Sequence, residues 1–136
     1  MALRTQDLIE WFTEKARSAS VDISFSMNVL PEGQPNRSCA IRKSGGLGLE
    51  LEGVLDKPTF ELIVRGVNHR DAEALALALD GIWLDAPSTF YIGPTLVKGK
   101  ERFGGEPTFF QEDPSEQFPE RMVYRCGPYW ARIARV

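Results

Sequence analysis

Apolar residues recur along this chain with two different periods, and each switch of period marks a new element. Leu8, Ile9, Phe12 and Ala16 fall at helical spacing and predict a helix from Thr5 to about Ala19. Thr5 is the expected N-cap, Asp7 suits the positive end of the helix dipole, and Lys15 and Arg17 suit the negative end. Trp11 lies off the centre of the apolar stripe, a position that covers the edge of a core or faces a partner. From Ser20 to Asn28 the period shortens to two, with Val21, Ile23, Phe25 and Met27 on one side, as in a half-buried strand. Pro31, Gly33 and Pro35 then break the pattern into a loop, and Cys39 to Lys43 reads as a short strand.

Ser44 to Pro58 is glycine-rich and closes on a proline, which predicts an extended connection. Thr59 to Gly66 is the clearest strand, and its uninterrupted Leu62, Ile63 and Val64 predict an interior position covered on both faces. Asn68 to about Leu84 predicts a second helix, with Asn68 as cap and Asp71 completing a pair like a capping box. Its AEALALAL stretch also alternates at period two, but alanine is a strong helix former and a poor strand former. This helix is apolar nearly all round, so one side is expected on the sheet and the other against a second subunit. Phe90 to Ile92 and Leu96 to Val97 are short strands around Gly93-Pro94, and residues 98–106 form a charged loop. Thr108 to Gln111 and Arg121 to Cys126 are strands separated by a turn over Asp113 to Pro119, and Tyr129 to Ala134 is a candidate for one more. Helices and strands do not alternate strictly. The expectation is a single α+β domain over residues 1–136, with a largely antiparallel or mixed sheet and both helices on one face.

Composition narrows the function classes. The 136 residues, 43% hydrophobic and 26% charged, describe an ordinary globular chain. A formal net charge of −3 argues against a general nucleic-acid binder, whose affinity comes mainly from neutralising phosphates. No apolar run is long enough to span a bilayer, and the charged N-terminal segment lacks the pattern of a signal peptide, so folding in the cytoplasm is expected. Cys39 and Cys126 are expected to be unpaired thiols there.

Candidate chemistry is sparse. Gly45-Gly46-Leu47-Gly48 invites a phosphate-loop reading, but Lys43-Ser44 precede the glycines instead of following them, and no helix is predicted next. His69, the only histidine, has no nucleophile at a suggestive spacing and is expected at the surface or in the cap of the second helix. The carboxylates are scattered, and no catalytic, cofactor or metal site is expected. One charge pattern is more specific. Glu106, Glu112, Asp113, Glu116 and Glu120 fall in a stretch without Lys or Arg, and Arg121, Arg125, Arg132 and Arg135 follow. It reads either as a solvated loop beside a solvated strand or as two complementary surfaces that join like subunits head to tail.

Three motifs carry a resemblance. Ser44-Gly45-Gly46 closes a short strand, Asp56-Lys57-Pro58 enters the next clear one, and Arg65-Gly66 ends it. An Ala/Leu-rich helix, Gly105-Glu106-Pro107, Asp113 and an arginine-bearing strand over Arg121 to Arg125 follow in order. In this the chain resembles the tail terminators, or minor capsid proteins, of long-tailed bacteriophages, over about Asp7 to Arg125. It departs from their pattern at Asp113-Pro114-Ser115-Glu116, where the family commonly has Asp-x-x-Gly, and in the tail from Gly127.

The resemblance implies a structural virion protein without cofactor or catalysis. It would form a homohexameric ring at the neck end of the tail, stop polymerisation of the tail tube and offer a joining surface to the head. Its partners would be other copies of itself, the tail tube protein and a head connector or stopper protein, with DNA passing the lumen unbound. Assembly would take place in the host cytoplasm. The expected contact residues are Gly45, Gly46, Leu47, Leu49, Glu50 and Leu51 in the linker, Lys98, Lys100, Glu101 and Arg102 in the charged loop, and Glu112, Asp113, Arg121 and Arg125. The alternatives are another head–tail connector or stopper, and a small ligand-binding or enzymatic α+β domain.

Overall fold

The computed structural model describes residues 3–44, 49–50, 55–113 and 115–134. In chain order the elements are α1 (Thr5–Ser18), β1 (Ser24–Met27), β2 (Ser38–Lys43), β3 (Leu49–Glu50), β4 (Leu55–Asp56), β5 (Thr59–Gly66), α2 (His69–Leu84), β6 (Phe90–Ile92), β7 (Thr95–Arg102), β8 (Thr108–Glu112) and β9 (Met122–Ala134). The strands form one nine-stranded sheet in which β1 and β2 are parallel and the other pairs antiparallel. The fold is α+β, with both helices on one face.

The apolar run of β5 puts it at the centre, hydrogen-bonded to β2 on one side and β9 on the other. Phe60, Leu62 and Val64 join the main core under the helices. Ile63 points the other way and packs with Ala40, Val123 and Leu30, so the strand is covered on both faces. The thirteen-residue β9 organises the rest of the sheet. It pairs with β5 and β4, and also carries β8 over Met122–Arg125 and then β7 over Tyr129–Ile133.

The main core is aromatic. Trp83 of α2 is fully buried, meets Phe60 edge-on at 5.0 Å, and donates its indole N–H to the Glu101 carbonyl at 3.2 Å. Trp11 is buried against Trp83 and Phe90, so it closes the edge of the core. Asn68 caps α2 by accepting from the Asp71 N–H at 2.8 Å, and the Asp71 carboxylate reaches back to the Val67 N–H at 3.0 Å. This is the expected reciprocal cap, displaced by one residue. Gly66 and Gly93 are glycines by position. A Cβ on Gly66 would lie 2.3 Å from the Ala72 backbone nitrogen, where α2 crosses the end of β5. Gly93 adopts φ +57° in the two-residue turn between β6 and β7.

Four expectations need correction. The N-cap of α1 is Arg4, not Thr5. The Arg4 carbonyl already accepts from Leu8 at 3.1 Å, so the helix starts one residue sooner, and no side chain caps it. Part of the extended connection is sheet, because β3 and β4 pair with each other and β4 with the end of β9. The charged loop begins only after Arg102. Lys100, Glu101 and Arg102 belong to β7 and pair with Ala131, Trp130 and Tyr129. The last two expected strands are one, since β9 continues through Gly127 and Pro128.

Candidate functional site

Beside its small apolar cluster, the face of the sheet away from the helices carries two buried cations at one end. Arg65, at the end of β5, and Arg121, just before β9, are each only 1% exposed. Burying a guanidinium is costly unless its donors are met. Here the loop after β1 turns its carbonyls inward to meet them. Arg65 donates to Pro31, Gly33, Pro35 and Asn36 carbonyl oxygens at 2.6–3.3 Å. Arg121 donates to the Glu32 and Gly33 carbonyls at 2.9 and 2.7 Å, and twice to the Asn36 side-chain oxygen at 2.8 and 2.6 Å. One carboxylate, Asp113, serves both cations, with Oδ2 3.6 Å from Arg65 and 3.3 Å from Arg121. Phe118 stacks on the Arg121 guanidinium at 4.0 Å. Burial first, and then the neighbouring Arg121, hold the Arg65 guanidinium below its ordinary range, against the pull of Asp113.

A hollow of about 510 Å³ opens beside this cluster, lined by Pro31, Glu32, Arg65, Asp113, Glu116 and Gln117. Its chemistry does not suit an anion. The guanidinium donors are already taken by carbonyls, and three acids share the rim. The arginine pair is therefore a lock that fastens the 30–37 loop across the back of the sheet.

Further along the same face, Glu61 sits between Arg42, at 3.5 Å, and Arg125, at 2.6 Å. On the helix side, Asp80 of α2 accepts from Tyr129 at 2.6 Å and pairs with Arg102 of β7. The hydrogen bond from Arg102 to Asp80 raises the arginine above its usual range. Lys100 donates to the Leu84 carbonyl at the end of α2.

These placements alter the picture of the expected contact residues. Arg121 is corrected outright. It is buried and saturated within its own chain, so it is not a contact on the surface. Asp113 neutralises Arg65 and Arg121, and so ties the acidic stretch to the basic one inside a single subunit. Arg102 and Lys100 fasten β7 to α2, Arg125 is engaged by Glu61, and the Glu101 carbonyl holds Trp83. Lys98 and Glu112 are exposed. Leu49 and Glu50 form β3, while Gly45, Gly46, Leu47 and Leu51 lie outside the described residues.

Other residues are more open than the sequence reading expected. Every residue of β8 is exposed, with Phe109 at 48% and Phe110 at 45%. Near the opposite end of the sheet Met27 is 46% exposed and Val29 72%. Alternation alone had assigned Met27 to a buried face. Adjacent aromatics take opposite faces in a regular strand, so Phe109-Phe110 signalled at least one exposed ring, and a bulge between Phe109 and Gln111 interrupts the alternation there.

His69 begins α2 at the surface and meets the Tyr124 hydroxyl at 2.7 Å, with Phe109 alongside. Tyr124 also donates to Glu73 at 3.3 Å, and burial raises its hydroxyl above the usual range. Cys39 and Cys126 are free and buried. They lie on β2 and β9 with β5 between, two strand spacings or about 10 Å apart, beyond disulfide reach. Burial pushes the Cys126 thiol up to about 12 and the Cys39 thiol well up as well. Among the described residues no three His, Cys, Asp or Glu cluster as a metal site, and no helix is long and apolar enough to cross a membrane. An apolar groove of about 500 Å³ runs between α1 and α2 past Trp11, Leu77, Gly81, Ile82 and Ala86.

No protein-family model matches the chain, and a search of curated proteins finds no match.

Proposed function

We propose that this chain is a tail terminator, a structural virion subunit that acts as a homohexameric ring. The ring caps the tail tube of a long-tailed phage, stops its polymerisation and presents the surface that the head connector or stopper protein joins. No cofactor or catalysis enters the role, and the place of work is the neck end of the tail, reached by assembly in the host cytoplasm.

The observation that carries this reading is the order of the resemblance motifs, each of which falls at an element boundary. Ser44 follows β2, Asp56-Lys57-Pro58 joins β4 to β5, and Arg65-Gly66 ends β5. The last pair has a structural reason. Arg65 locks the 30–37 loop on one side of the sheet, and Gly66 lets α2 cross on the other. A net charge of −3 also suits a lumen through which DNA slides, because like charges do not adhere.

The test is where the protein binds. Purified chain is mixed with its cognate tail-tube protein and, separately, with the portal-side connector, and both are imaged by negative stain. A ring with the mass of six 15.2 kDa chains at the tube tip supports the terminator. Binding to the portal side alone would instead make it a connector or stopper.

A further inference from the structure

The path β1-β2-β5-β9-β8 crosses the sheet and ends on two strands that have no second partner among the described residues. Such edges carry unpaired main-chain groups, and proteins usually blunt them with lysine, proline or a covering segment. Neither edge here is blunted by charge or proline over most of its length. β1 reads Ser-Phe-Ser-Met, and β8 reads Thr-Phe-Phe-Gln before its closing glutamate.

The direction of the free groups follows from the bonds already made. Ser24 and Asn28 donate toward β2, to the Arg37 and Ile41 carbonyls at 3.2 and 3.0 Å. By alternation, the N–H groups of Phe25 and Met27 and the carbonyl of Phe25 point outward. On the other edge Asp113 donates toward the β9 side, to the Arg121 carbonyl at 3.1 Å, so Glu112 and, across the bulge, Phe109 turn theirs outward.

We propose that the β1 edge of one copy pairs with the β8 edge of the next, so that the sheets of neighbouring subunits join into one. The occupant of each edge is a second copy because the two edges match. They are four and five residues long, and each is flanked by exposed apolar side chains, Met27 and Val29 on one and Phe109 and Phe110 on the other. Their charges are complementary as well. Glu106 precedes β8 in the chain and Glu112, Glu116 and Glu120 end or follow it, whereas the helix that packs on β1 ends on exposed Lys15 and Arg17 against a single exposed Glu14. Asp22 beside β1 is held toward Arg37 at 3.8 Å. Because the edges differ, the contact is head to tail and repeats around a ring or along a filament. The pairing needs only that copies associate. Its closure into a ring rests on the terminator reading. One junction between short strands is small, so a single pair is weak and closure supplies the strength.

The test uses Met27→Cys and Phe110→Cys, two exposed positions, in separate full-length variants. Circular dichroism first establishes that both fold, with Tyr91→Cys as a second exposed control. Each variant is oxidised alone and in an equimolar mixture, and covalent dimer is read on a non-reducing gel. The pairing predicts about tenfold more dimer in the mixture than in either variant alone, because only unlike edges meet. Adding Phe109→Lys to the Phe110→Cys partner should abolish the excess. Equal yields alone and mixed, or the same yield with Tyr91→Cys, would overturn the pairing. The outcome is separable from the terminator reading. Cross-linking without capped tubes leaves the pairing and removes the terminator, and capped tubes without cross-linking do the reverse.

Discussion

Arg65 and Arg121 are buried together and share a single carboxylate, Asp113 Oδ2, at 3.6 and 3.3 Å. Two cations against one anion would be unfavourable if the carbonyl oxygens of residues 31–36 did not complete the neutralisation. The loop and the arginines therefore stabilise each other, and neither is well placed without the other. Asp113→Asn keeps the shape and removes the charge. It should cost about 2–4 kcal/mol, the usual penalty for stranding a buried charge reduced for the partial exposure of Asp113. Urea denaturation of the two proteins measures it. A change within the noise of the midpoint would show that the carbonyls suffice.

Gly66 lies where β5 passes beneath the first turn of α2. A methyl group there would sit 2.3 Å from a backbone nitrogen, which no rotamer can relieve. Gly66→Ala should destabilise by about 1–3 kcal/mol by forcing helix and strand apart. Gly104→Ala is a contrasting case, because its Cβ meets nothing within 4 Å and the cost there is only that of its φ of +68°. Thermal melts of both variants separate crowding from backbone strain.

Asp80 joins three elements, accepting from Tyr129 of β9 and pairing with Arg102 of β7 while it rides on α2. Asp80→Asn removes the charge from a largely buried ion pair and should cost about 2–4 kcal/mol. Hydrogen exchange should rise first in β7, whose attachment to the helix layer depends on this residue and on the Trp83 bond to Glu101.

Stability should fall in alkaline solution. Burial raises the Cys126 thiol from 9.0 to about 12, and Cys39 and Tyr129 shift in the same direction. The unfolded chain then loses these protons before the folded one does. The Cys126 contribution is complete below pH 9.0 and is lost as the pH rises toward about 12. Within that window the Cys126 thiol alone removes about 1.4 kcal/mol per pH unit. Urea midpoints at a series of pH values check this, and Cys126→Ala should flatten the slope.

Much of this fold was legible in the sequence, for local reasons. Thr59–Gly66 and His69–Leu84 appear within a residue of where apolar runs and the Asn68 cap placed them. Strand β7 was hidden because its charged second half looks like a solvated loop. What makes it a strand is pairing with β9, some thirty residues away. The two halves of β9 were separated by a Gly-Pro that ordinarily marks a break. Arg121 was misread because charge suggests surface, while its acceptors lie more than eighty residues earlier, at Glu32, Gly33 and Asn36. No local pattern announces a lock of that kind. The open edges were likewise invisible until strand order was known.

The most direct measurement of the central claim is tail-tube length against the amount of this protein added. Cognate tube protein is polymerised with increasing amounts of the chain, and lengths are read from negative-stain images. The terminator account predicts that mean length shortens steadily and that a ring sits on the tip of each short tube. Tubes that grow to the same length at every ratio, with bare tips, would contradict it.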